Sequence, residues 1–217
     1  ETVLEILDSF QNIRLPEDKP FRMPVQDVYK FTRGGDNRRI VAGTITSGRV
    51  NVGDEIIFYP SGKKSRVKSI EGFNTPTRSF IGAGHSTGFT LEEQIYISRG
   101  EIVVRGNQPK PEVTSKIKVN LFWLGKEPMT MNKRYYLKLG TAKVEAKLEK
   151  IERVIDASNL NQSEEKNIIE RHDVAECTIK LNKAIAFDEV SMLDKTSRFV
   201  IVDEYEIAGG GLIQESL

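Results

Sequence analysis

The side chains best suited to attack a carbonyl or hold a soft metal are His85, His172 and Cys177, and they are scattered without ligand spacing. Cys177 alternates with Ala175, Ile179 and Leu181, the pattern of a thiol packed in a strand core. His85 stands in a glycine-rich turn and His172 in a charged stretch, so both read as surface residues. For phosphate chemistry, Gly62-Lys63-Lys64-Ser65 imitates the end of a P-loop. It fails because Ile57 replaces the first glycine, Lys64 replaces the Ser/Thr, and strand-like runs flank it where a helix N-terminus is needed. Gly82-Ala-Gly84-His-Ser-Thr-Gly88 misses the dinucleotide fingerprint, and neither Asn132-Lys-Arg nor Asn182-Lys-Ala completes an Asn-Lys-x-Asp guanine reader. The carboxylate pairs Glu92-Glu93 and Glu164-Glu165 are adjacent, so they diverge on a strand or a helix and do not converge for acid/base work. Trp123, beside Phe122 near a strand end, reads as core or interface. No catalytic, cofactor-binding or metal-ligating residue is assigned.

The elements that would carry any site are strands. Glycine recurs every fifth residue at Gly43, Gly48 and Gly53, with β-branched residues filling the gaps. Glycine supplies the positive φ of tight turns and the room for bulges, so these three are expected to be structural turn glycines of a strongly bent antiparallel barrel. Around them Pro24–Lys30, Asp54–Tyr59, Arg66–Ile70 and Glu101–Val104 read as strands, with Val25 and either Tyr29 or Val28 sharing the faces of the first. Gln108-Pro-Lys-Pro111 interrupts any ladder and marks a boundary. Beyond it Ile117/Val119/Leu121, Val144/Ala146/Leu148 and Ala175 to Leu181 alternate cleanly, as do Phe199, Ile201 and Tyr205. Ile151 and Val154 shift phase, which implies a bulge. The polar stretch 159–173 is expected to hold one short helix opening near Ser163.

The fold class is therefore all-β, two consecutive antiparallel barrels over residues 21–107 and 112–217, preceded by a short helix and linker over residues 1–20. The helix is expected at Val3, Leu4, Ile6, Leu7 and Phe10, an apolar stripe with no partner helix in the next hundred residues. It reads as the last helix of a preceding domain. Lys+Arg 32 against Asp+Glu 31 leaves a net charge of +1, without the basic excess of a nucleic-acid module. A local basic cluster does occur at Arg33, Arg38 and Arg39 and again at Lys63, Lys64, Arg66 and Lys68. The lone cysteine excludes an internal disulfide and fits a reducing, cytoplasmic setting, and no run approaches the roughly 20 apolar residues of a membrane span.

In this order the helix, linker, glycine-punctuated barrel and second barrel resemble the two C-terminal domains of translation-factor-like GTPases. Lys19-Pro-Phe-Arg-Met-Pro-Val-Gln-Asp-Val-Tyr29 is similar to the opening strand of their second domain. Further segments favour one branch, the CysN-type GTPase (large) subunit of sulfate adenylyltransferase. These are Ala42 to Gly53, Tyr59 to Gly62, Glu93 to Gly100, Phe122 to Met129, and the ending from Val202 to Ile213. The resemblance implies an enzyme that forms adenosine 5′-phosphosulfate and pyrophosphate from ATP and sulfate. GTP hydrolysis on the large subunit drives that reaction, and a small catalytic subunit is the partner.

It also implies that GTP and Mg belong to a GTPase domain outside these residues, that these two barrels make no bonds, and that some relatives carry a fused adenylylsulfate kinase. The barrel loops bearing Arg33, Arg38, Arg39 and His85 are expected to face the chain's own GTPase domain or a partner. The alternative is a pair of elongation-factor domains that bind aminoacyl-tRNA.

Overall fold

The computed structural model describes residues 2–10, 15–32, 35–72, 74–156, 162–163 and 167–217. One short helix, α1 (Val3–Asp8), is closed at its start by a Thr2/Glu5 capping box. None of its residues is buried, and Val3, Leu4, Ile6, Leu7 and Phe10 are between 44% and 73% exposed.

The first barrel contains β1 (Met23–Lys30), β2 (Arg39–Thr44), β3 (Arg49–Asn51), β4 (Glu55–Tyr59), β5 (Lys63–Glu71), β6 (Phe80–Gly82), β7 (Ser86–Leu91) and β8 (Ile102–Arg105). Six of these strands close in the order β1-β2-β7-β5-β4-β8, and β3 pairs with β6 as a separate ribbon. Closure leaves the ring without an open edge. Phe21, Met23, Val25, Ile56, Phe58, Phe89 and Val103 fill it and are fully buried. A bulge in β1 between Val25 and Asp27 resets the alternation. Val28 therefore packs against the core behind Val25, while Tyr29 is 49% exposed. Gly48 and Gly53 take positive φ of 67° and 88°. Gly43 occupies no turn. It sits inside β2 opposite Val25, where a Cβ would come within 2.3 Å of the Pro24 carbonyl oxygen, so it is the close approach at the bulge that demands glycine.

The second barrel contains β9 (Glu112–Trp123), β10 (Met129–Thr130), β11 (Tyr135–Leu139), β12 (Ala142–Asp156), β13 (Gln162–Ser163), β14 (Ile168–Ile169), β15 (Asp173–Phe187), β16 (Arg198–Asp203) and β17 (Glu206–Ser216). The order β11-β16-β17-β9-β15-β12 closes through the β11–β12 pairing, and β13 extends one side of β12. Trp123 and Tyr135 meet edge to face at 5.8 Å in its core, and the Trp123 indole N–H donates to the Glu127 carbonyl at 2.9 Å. The expected phase shift in β12 is present as register breaks between Leu148 and Lys150 and between Ile151 and Arg153. Two expectations need correction. The short helix near Ser163 is not found among the described residues, where Gln162–Ser163 and Ile168–Ile169 are strands. Tyr205 lies in the β16–β17 turn, 98% exposed, because the strand's inward alternation stops before it.

Candidate interdomain and partner interface

The two barrels meet through a buried ion pair. Arg22 precedes β1 and is 0% exposed, and Asp188 follows β15 and is 2% exposed. The Arg22 Nε and Nη2 donate to both Asp188 carboxylate oxygens at 2.7–3.1 Å. Its remaining donors reach the Phe21 and Pro109 carbonyls at 2.9 and 2.8 Å, and Thr196 Oγ1 donates to Asp188 Oδ2 at 2.9 Å. Both charges are thus hydrogen-bonded as well as paired, the condition under which burial is tolerated. The linker is tied down too, since Gln108 Oε1 accepts from the Phe21 backbone N–H at 2.7 Å. An apolar patch of Ile57, Ile102 and Val104 from one barrel and Ala186 from the other also joins the two. Gly100, at φ 96°, brings its backbone so near Ala142 that a Cβ would stand 2.9 Å from the Ala142 Cα.

Arg38 and Arg39 line a cavity of about 330 Å³ on the first barrel, together with Lys68, Ser69, Thr90 and Gln94. Arg38 pairs with Asp36 and with Glu71, each at 2.8 Å, and lies over the Phe31 ring at 5.6 Å. Its hydrogen bonds with Asp36 hold that carboxyl below its usual range and raise the guanidinium in turn. His85 is exposed in the turn before β7 and lines a second concavity of about 340 Å³ with Thr75, Arg78 and Glu71. Glu71 therefore stands between the two hollows, joined to Arg38 and bordering the one that holds His85. Arg33 lies outside the described residues.

These groups can recognise anions and acidic side chains. The described residues hold no group of three or more His, Cys, Asp and Glu placed to bind a metal. Burial, aided by the nearby Glu152 and Glu176 charges, pushes the Cys177 thiol far above its usual range, so it carries no thiolate at neutral pH. Gly62 to Ser65 forms the β4–β5 hairpin, so no helix N-terminus follows it to cradle a phosphate. Arg22 and Asp188 escape sequence reasoning altogether. They are 166 residues apart, and Arg22 sits between buried Phe21 and Met23, where alternation gives no warning of a buried cation.

Residues 116–214, most of the second barrel, match the family model described as GTP-eEF1A C-terminal domain-like. The chain is 31% identical over 206 residues to sulfate adenylyltransferase subunit 1 of Shewanella oneidensis, an alignment covering 93% of this chain and 41% of that protein. It is 32% identical over 221 residues to the Chromobacterium violaceum protein of the same name, covering 99% of this chain and 45% of that one. It thus spans less than half the length of these curated relatives. The fold matches a crystal structure of Sup35 complexed with GDP, with a TM-score of 0.83 at 17% identity over 100% of this chain and 52% of that one.

Proposed function

From the homology of this chain to sulfate adenylyltransferase subunit 1 along nearly its whole length, we propose that it is the two-barrel coupling element of a GTP-dependent sulfate adenylyltransferase. In this reading the full-length protein hydrolyses GTP in a domain outside these residues. The barrels make no bonds themselves and pass the resulting change to a small catalytic subunit that joins ATP and sulfate. The observation that carries the reading is the seam. Arg22, Asp188, Gln108 and the apolar patch fasten two closed barrels together, as a lever requires and independent modules do not. The loops bearing Arg38, Arg39 and His85 are the proposed contacts with the GTPase domain or the small subunit, in the cytoplasm.

The test is to co-purify the full-length protein with the small subunit and measure GTP-dependent formation of adenosine 5′-phosphosulfate. Replacing Arg38, Arg39 and His85 by alanine should weaken assembly at least several-fold. Asp188→Asn should leave GTP hydrolysis in place and reduce its stimulation of product formation. Full stimulation in Asp188→Asn, or unchanged assembly in the triple variant, would count against the reading. The elongation-factor alternative has the shared fold and the GTP-eEF1A C-terminal domain-like match behind it, while the relatives at 31–32% identity carry the sulfate adenylyltransferase name.

A further inference from the structure

One outer face of the second barrel is divided into a neutralised half and an unneutralised half. Toward one end the cations are paired, with Lys116 to Glu149 at 2.7 Å, Lys118 to Glu176 at 2.6 Å and Arg153 to Glu176 at 3.3 Å. Toward the other end, Arg134, Lys138, Lys143, Lys147, Lys180 and Lys183 are all exposed, and no ion pair is formed by any of them among the described residues. Several of these face one another directly. Lys147 is the cross-strand partner of Lys180, Lys180 that of Lys116, and Lys138 that of Lys143. Like charges directly opposite on one sheet face weaken the pairing, yet this barrel places carboxylates beside its lysines a few residues away.

The unneutralised half is also concave. A hollow of about 390 Å³ is lined by Arg134, Lys147, Lys180 and Asn182, with Glu145 the one carboxylate among them. A second, of about 500 Å³, runs into the seam between the barrels and adds Arg99 to Lys143 and Lys183. The two adjoin where the Glu145 N–H donates to Asn182 Oδ1 at 3.0 Å.

We infer that this face docks an acidic surface of another polypeptide. Charge complementarity selects the partner, because the unpaired cations gain the carboxylates that their own barrel withholds. A polypeptide suits the face better than a nucleic acid does. The exposed Tyr136 ring is covered by Lys143 at 4.2 Å and is not bare for base stacking. The inference stands apart from the coupling role, since it concerns neither the seam pair nor the Arg38 loops.

Lys180→Glu tests it in the full-length protein. The change turns two repulsive cross-strand pairs into attractive ones, so the free protein should melt at a higher temperature while losing the partner. Fluorescein-labelled 20-residue poly-L-glutamate and a 20-nucleotide RNA serve as probes, read by anisotropy at physiological salt. Poly-L-glutamate should bind at least tenfold more weakly to Lys180→Glu, and less than twofold more weakly to the charge-matched control Lys64→Glu on the first barrel. Equal loss in both variants, no loss in either, or tighter and Lys180-dependent binding of the RNA would overturn the inference. So would finding Lys147 and Lys180 already shielded from amine acylation in the full-length protein without a probe, which would mean its own chain covers the face.

Discussion

The first barrel is built to bend and the second to run long. Its ring strands reach at most nine residues, in β5, and the connections turn at positive-φ Gly48, Gly53, Gly62 and Gly84. The second barrel carries two strands of fifteen residues, β12 and β15, which release their curvature through bulges. Short strands with glycine corners produce hollows ringed by polar groups, such as the one around Arg38 and Arg39. Long strands produce a broad sheet face on which charge can be sorted into halves. The same antiparallel closure therefore yields loop-borne contacts on one barrel and a patterned surface on the other.

Breaking the seam should have the largest effect. Asp188→Ala leaves Arg22 buried without a counter-charge and should cost about 3–5 kcal/mol, by the usual penalty for orphaning one member of a buried pair. Urea unfolding should then separate into two transitions, one per barrel. A single transition at unchanged denaturant midpoint would show that the pair does not hold them together. Replacing the pair by Arg22→Met with Asp188→Leu should cost far less, since no charge is stranded.

Within the first barrel, Gly48→Ala should destabilise by about 2 kcal/mol or more. A Cβ there meets the Phe21 Cα and N at 2.6 Å in addition to the strain of φ 67°. Gly53→Ala, at φ 88° with open space around it, should cost only the conformational strain of about 1–2 kcal/mol. Equal midpoint shifts by thermal melting would mean that turn strain, and not the approach to Phe21, governs both corners.

In the second barrel, Cys177→Ser puts a hydroxyl into a fully buried apolar position and should cost about 1–3 kcal/mol in chemical unfolding. An unchanged midpoint would show that the core there admits a polar atom.

The smallest effect concerns the neutralised half of the outer face. The Lys118 hydrogen bond holds the Glu176 carboxyl below its ordinary range. A lowered folded value means that this contribution is present above about pH 4.5 and fades as the pH falls below it through the folded value. Glu176→Gln should therefore lower stability slightly at neutral pH and converge with the parent at low pH, which flattens the acid side of the profile. A profile identical to that of the parent would show that the pair contributes nothing.

Much of this architecture is legible in the sequence. Ile117, Val119 and Leu121, or Ala175 to Leu181, must turn inward together because a pleated strand has a period of two, and the structure buries each of them. The phase break at Ile151 was legible for the same reason. Gly43 misled because spacing alone cannot separate a glycine that turns the chain from one that makes room for a crossing backbone. Tyr205 misled because alternation does not say where a strand stops. Of the expected contacts, Arg38 and Arg39 share one hollow and His85 borders the next, with Glu71 between them, an adjacency set by β5 and β7 lying side by side.

By itself the sequence determined an all-β fold of two barrels, because strand periodicity and glycine turns are local properties of the chain. Tertiary structure alone decided that Arg22 would find Asp188 across 166 residues and that Lys147, Lys180 and Lys116 would stand in one row. Ion pairing and cross-strand register depend on which strands become neighbours, and that is fixed only when the barrels close.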